Sequence, residues 1–135
     1  MPKRYLGIDY GAKRVGLATG DNDVRLSTPL VTLKGNKGDL AVQLQQICKE
    51  EQIDEVVMGL PRGLEGQETA QTAQVRQEAT RLEEALGLPL SLQDEALTSE
   101  VARDRLVERG QSTKGGAIDR EAAAIILQDY LGSLS

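Results

Sequence analysis

The sequence predicts an α/β protein, with helices flanking a mixed five-stranded sheet built from an antiparallel three-strand meander plus two parallel strands. Three observations carry that prediction. Residues 4–33 hold short apolar runs broken by turn residues and no helical stripe. From residue 40 onward, helical and extended patterns alternate. Two apolar runs, Asp54–Met58 and Leu88–Gln93, each follow a helical stretch, as the strands of a parallel pair do. The 135 residues are expected to form one domain over positions 1–135, with no internal repeat and no separating linker.

Arg4–Asp9 reads as the first strand, with Tyr5, Gly7 and Asp9 on one side and Leu6 and Ile8 on the other. A short turn containing Gly11 leads into a second strand, Val15–Gly20, so the pair forms a hairpin. Asp21-Asn22-Asp23 turns the chain into a third strand within Val24–Leu33, bent near Pro29. Lys34–Gly38 is a loop, and Asp39 is placed to cap a helix over 40–51 whose Leu40, Leu44, Ile47 and Cys48 share a face. After the strand Asp54–Met58 comes a Gly/Pro loop, Gly59–Gly66. A long helix over Gln67–Leu86 then stops at Gly87. Leu88–Gln93 leads to Asp94-Glu95, and helices follow over Thr98–Arg109 and, past a Gly-rich loop at Ser112–Gly116, Asp119–Leu131. The order is βββαβαβαα.

Composition narrows the function. There are three Tyr, no Phe and no Trp, so the aromatic platforms that stack single-stranded bases are not expected. No stretch approaches the roughly 20 apolar residues that span a bilayer. MPKR runs straight into a strand without a signal-peptide core, and Cys48 is alone, so a core role for its thiol and a cytoplasmic location are expected. Net charge is −5, but its distribution is uneven. Residues 1–38 carry seven Lys/Arg against three Asp, whereas residues 39–95 carry four against twelve acids. A basic face on an acidic protein fits those counts; a uniformly basic one does not.

Acids stand at three places where core building would not put them: Asp9 at the end of the first strand, the Asp94-Glu95 pair after another, and Asp119 at the start of the last helix. Asp119 shares a stripe with Ala123, Ile126 and Tyr130. Parallel strands gather their carboxyl ends at one edge, and a helix starting above that edge brings a third carboxylate to the same pocket. Carboxylates held together need a cation. With no His, the donor set is oxygen only, which suits Mg²⁺ or Mn²⁺ rather than Zn²⁺. Each acid has a plainer reading: Asp119 as a helix cap, Glu95 as a solvated loop acid with Asp94 in its place, Asp9 as a partner of turn amides. Glycines 7, 11 and 16 leave room beside Asp9, which a phosphate would fill. GIDYGAKRVG also looks like the phosphate-binding hairpin of the actin and sugar-kinase fold, but those enzymes use two copies of the fold and this chain has room for one. A P-loop is absent, and a Ser-His-Asp set is impossible without His.

Four stretches, GIDYGAKRVGLA, VVMGLPRGLEGQE, DEALTSEVAR and GAIDREAAAIILQDYL, closely resemble the YqgF family, whose members are named as pre-16S ribosomal RNA nucleases and also as Holliday junction resolvases. The match spans nearly the whole chain in order. The resemblance implies a ribonuclease H-like fold and a hydrolase that cuts phosphodiester bonds with two divalent ions, Mg²⁺ or Mn²⁺. It assigns the catalytic and metal-binding acids to Asp9, Glu95 and Asp119. Lys13, Arg14, Arg62 and Lys114 are the expected phosphate contacts, Arg62 foremost because it sits in a Gly/Pro loop after a buried strand. The implied partner is nucleic acid, precursor ribosomal RNA or precursor particles first and branched DNA as the alternative, with no membrane and a monomer or homodimer as the assembly. Two positions depart from the family pattern. Ala96 stands where the family has Arg, with Arg103 or Arg14 as candidates to compensate, and Gln77 or Glu78 stands where it has an aromatic. Ala96 and the net acidity favour a third reading, a ribosome-assembly factor with weak catalysis.

Overall fold

The computed structural model describes residues 2–34 and 40–134. Among these run β1 (Arg4–Tyr10), β2 (Arg14–Asp21), β3 (Ser27–Lys34), α1 (Leu40–Glu50), β4 (Glu55–Pro61), α2 (Ala70–Leu86), β5 (Leu90–Glu95), α3 (Thr98–Glu108) and α4 (Ala117–Ser133). The strands form one sheet in the order β3-β2-β1-β4-β5. β2 is antiparallel to both β1 and β3, while β4 is parallel to both β1 and β5. The predicted meander and parallel pair therefore meet at β1. The carboxyl ends of β1, β4 and β5 reach one edge, the usual place for a site in such sheets.

Several boundaries move for identifiable reasons. β3 begins at Ser27 rather than Val24, because the Asp21 carboxylate accepts from the N–H groups of Asp23 and Val24 and holds those residues in a turn. The bend at Pro29 is a bulge: Leu17 opposes Val31 and Ala18 opposes Pro29, which leaves Leu30 over. An edge strand tolerates the proline. β4 continues past Met58 because Gly59, Leu60 and Pro61 stay paired with Gln93, Asp94 and Glu95, so the acid pair lies within β5. α2 begins at Ala70, not Gln67, where Thr69 and Thr72 form a reciprocal cap. The Thr72 hydroxyl also donates to Pro61 O at 2.5 Å, tying that cap to the end of β4. α4 starts at Ala117 with Gly116 in the left-handed region, so Asp119 lies in its first turn and is not the cap. The predicted cap at Asp39 and most of the Lys34–Gly38 loop fall outside the described residues.

Two apolar layers enclose the sheet. On one face Leu6, Ile8, Leu17 and Met58 pack against Leu44 of α1 and Val75 and Leu82 of α2, and Cys48 joins this core as expected. On the other, Tyr5 and Val57 meet Ile126, Leu127 and Leu131 of α4. α3 covers the outside of α4 through Ala102, Ala122 and Ile125. Full burial of each Leu or Ile contributes about 1.5–3 kcal/mol. The strand glycines serve this second face. A Cβ on Gly16 would overlap the Asp119 carbonyl, one on Gly7 would lie 2.7 Å from Leu127 Cβ, and one on Gly59 would lie 2.5 Å from Ile126 Cδ1. Gly7 and Gly16 thus admit the backbone of α4, not a phosphate as the sequence suggested; Gly11 closes the β1–β2 turn through its N–H to Arg14 O at 3.0 Å.

Candidate active site

The alternation of β1 puts Asp9 on the α4 side at the strand's carboxyl end. β5 lies two strands away, about 10 Å at ordinary strand spacing. Its last residue, Glu95, lines the same cavity of about 220 Å³ as Asp9, together with Tyr10, Gly59, Arg62, Ala96 and Thr98. A larger cavity of about 590 Å³, between Leu33 and the Val42–Lys49 stretch of α1, is lined by no acid.

Both carboxyls resist ionisation. Burial, reinforced by the negative charge of Asp119, pushes Asp9 up to about 6. Burial likewise pushes Glu95 up to about 8; the Asp129 carboxylate adds to the rise and the Thr98 hydroxyl opposes it. Thr98 Oγ1 donates to Glu95 Oε2 at 2.8 Å, whereas Oε1 is buried without a hydrogen-bond partner. Leu97, in the left-handed region at φ 58°, turns the chain between them. An orphaned carboxylate oxygen on an acid that shares its cavity with a second half-buried acid, in a site with no nitrogen or sulfur ligand, fits a hard divalent cation.

Asp119 takes a different position. It is close enough to raise Asp9, yet its Oδ2 accepts a hydrogen bond from Arg14 Nε at 2.8 Å. Among the described residues no three acids converge on one ion. The structure therefore places Asp9 and Glu95 on one cavity and holds the third acid, which also acts on Asp9, to Arg14. The pleat also separates the acid pair: Asp94 is exposed and accepts from Arg62 Nε at 3.3 Å, while Glu95 faces the cavity.

The cations divide similarly. Arg62 lines the carboxylate cavity, and its backbone N–H donates to Glu95 O at 3.0 Å. It is the cation that shares the cavity with Ala96, a place the sequence offered to Arg103 or Arg14. Lys13 is exposed at the β1–β2 turn. Lys114 lies elsewhere, on a second polar cavity of about 320 Å³ with Pro29, Arg120 and Glu121. Glu78, near the absent aromatic, accepts from the Tyr10 hydroxyl at 3.2 Å and pairs with Arg81. Sequence reasoning passed over Thr98 and Asp129 as neighbours of Glu95. The three-residue spacing from Glu95 to Thr98 was the available signal for the first; nothing local signalled Asp129.

The family model for RuvX, described as a Holliday junction resolvase, matches residues 3–133. The chain belongs to the RuvX family. A RuvX-family relative from Anaeromyxobacter dehalogenans (strain 2CP-C), described as "Putative pre-16S rRNA nuclease", is 39% identical over 132 residues, covering 95% of this chain and 96% of its own. A relative from Maridesulfovibrio salexigens with the same description is 38% identical over 131 residues, covering 95% and 97%. Among solved structures, T. thermophilus RuvC in complex with Holliday junction substrate superposes with a TM-score of 0.57 at 15% identity, covering 95% of this RuvX-family chain and 93% of RuvC. That likeness establishes the ribonuclease H-like fold the motifs implied.

Proposed function

We propose that this chain is a divalent-cation-dependent endonuclease that hydrolyses phosphodiester bonds of structured RNA in the cytoplasm, with the 5′ end of precursor 16S ribosomal RNA as its substrate. The observation that carries the reading is the cavity shared by Asp9 and Glu95, two half-buried acids at the carboxyl ends of β1 and β5, which flank β4, with Arg62 on the wall. The descriptions of relatives that align over nearly the whole chain support the choice of RNA.

Asp9 and Glu95 would hold Mg²⁺ or Mn²⁺ through carboxylate oxygens, and Asp119 would join them, for a first or a second ion, on leaving Arg14. When bound, the cation supplies Lewis-acid activation of water and neutralises charge developing at phosphorus. Thr98 fixes one oxygen of Glu95 and leaves the other free for this work. Arg62 would take a non-bridging oxygen of the scissile phosphate in place of the basic residue missing at Ala96. Arg14, once it exchanges Asp119 for a phosphate, would hold the neighbouring linkage.

A second reading, resolution of four-way DNA junctions by the same chemistry, is favoured by the description of the matched family model. One experiment separates the readings. Precursor 16S RNA and a four-way DNA junction are incubated with the protein in Mn²⁺, Mg²⁺ or EDTA, beside Asp9→Asn and Glu95→Gln. Cation-dependent cutting of RNA, reduced at least about 100-fold in both variants, is expected. Cutting of the junction alone selects the resolvase. Binding without cutting selects the assembly-factor role, and cutting that survives EDTA or Asp9→Asn removes the carboxylate mechanism.

A further inference from the structure

Side-chain charge changes sign across the edge of the sheet that carries the site. The β5 half is acidic: Glu95 and Asp94 end that strand, Glu100 lines the cavity, and Arg62 is flanked by Asp94 at 3.3 Å and Glu68 at 3.4 Å. The β3 half is basic, and its members are brought together by the fold. Asp9 pairs with Gly16 in register, and Gly16 pairs with Thr32. Residues two apart on a strand share a face, so Arg14 and Lys34, partners one step further out, lie on the same face as Asp9. That face is the α4 side, because Arg14 reaches Asp119 and Thr32 Oγ1 donates to Gly116 O at 2.6 Å. On the lead into α4 and in its first turn, Lys114 and Arg120 wall the 320 Å³ cavity with Pro29 of β3. From Asp9 to Lys34 is two strand spacings across and two residues along, about 12 Å.

These cations are largely uncommitted. Among the described residues no carboxylate pairs with Lys34, Lys114 or Arg120. Arg120 Nη1 donates only to a carbonyl, Gly115 O, at 3.1 Å. The buried acid on the wall, Glu121, is already paired with Arg109 at 2.7 Å. On a protein of net charge −5, cations left without counter-charges along one edge indicate a polyanionic partner.

We propose that the nucleic-acid strand flanking the scissile phosphate leaves the Asp9–Glu95 cavity toward β2 and β3, with its backbone phosphates on Arg14, Lys34, Lys114 and Arg120. The β5 half repels that strand and touches it only through Arg62. The proposal rests on the nuclease reading and adds its direction: the substrate is held from one side of the carboxylates. No aromatic lines this track, so contacts there are to phosphates, which fix position without reading sequence.

The test measures binding of a labelled precursor 16S stem–loop and of a four-way DNA junction by fluorescence anisotropy in EDTA, across a salt series. The proteins compared are wild type, Lys34→Glu/Arg120→Glu, Lys114→Glu, and Lys49→Glu on α1 as a control. The double variant is expected to bind at least about tenfold more weakly, with the slope of log K against log salt shallower by about 0.7–0.9 per lost contact. Lys49→Glu stays within twofold of wild type. If the double variant fails to fold by circular dichroism, Lys114→Glu carries the same expectation. Wild-type binding that the basic-edge variants leave within twofold, or that Lys49→Glu weakens equally, overturns the track and spares the nuclease reading. Wild type that binds neither nucleic acid overturns both.

Discussion

Asp9 and Glu95 hold their protons because they are buried, and that has a measurable signature. The rise of Asp9 from 3.8 to about 6 means the native state binds its proton more tightly than the unfolded state does. Stability of the cation-free protein is therefore unpenalised below about pH 4 and falls as pH climbs through 6, with Glu95 extending the fall toward 8. The Asp9 share is about 3 kcal/mol. Urea midpoints in EDTA between pH 4.5 and 7.5 should decline for wild type and flatten for Asp9→Asn; a wild-type midpoint that rises over that range refutes the buried-acid account. Thr98 is the other residue to test here. Its hydroxyl donates to Glu95 Oε2 and lowers that acid's pKa. Thr98→Val is expected to weaken Mn²⁺ binding by about tenfold, the worth of one charge-assisted hydrogen bond, and to shift the pH dependence of that binding upward. Thr98→Ser should restore both, as measured by isothermal titration, and a Val variant indistinguishable from wild type removes the positioning role.

At the scale of elements, α4 decides the geometry of the site, since it rests on β1, β2 and β4 through positions without side chains. Gly16→Ala places a methyl group into the Asp119 carbonyl and must lift the first turn of α4. A loss of about 2–3 kcal/mol is expected, together with weakened cleavage because Asp119 and Arg14 move with that turn. Chemical denaturation and single-turnover cutting check the two effects. This dependence also explains what the sequence disclosed. Asp9 was legible because an acid at the end of an apolar strand violates core building, and the order of elements was legible from alternating periods. The purpose of Gly7 and Gly16 was not, because a strand glycine reads the same whether a ligand or a helix approaches it. Nor was the Arg14–Asp119 bond, whose partners are 105 residues apart and meet only once α4 settles on β2. Glu95 was separable from Asp94 only when β5 proved to run through both, so that the pleat could point one inward.

For the whole molecule, sheet order matters more than any one strand. Placing β4 between β1 and β5 spreads the two acids over strands that the chain reaches 86 residues apart, from position 9 to position 95. A cation bridging them would tie the centre of the sheet to its edge and so act on global stability. Because it binds only the folded arrangement, its contribution follows mass action, about 2.7 kcal/mol at a free concentration 100 times the dissociation constant. Adding Mn²⁺ at pH 7.5 should therefore raise the thermal midpoint of wild type by several degrees in a concentration-dependent way, and EDTA should return it. Asp9→Asn and Glu95→Gln should start with higher cation-free midpoints than wild type, since each removes a buried charge penalty, and should respond little to Mn²⁺. Asp119→Asn should keep most of the response, because that carboxylate is held by Arg14 in the free protein. A wild-type midpoint indifferent to Mn²⁺, or one that rises equally in all three variants, would show that the cation does not join β1 to β5.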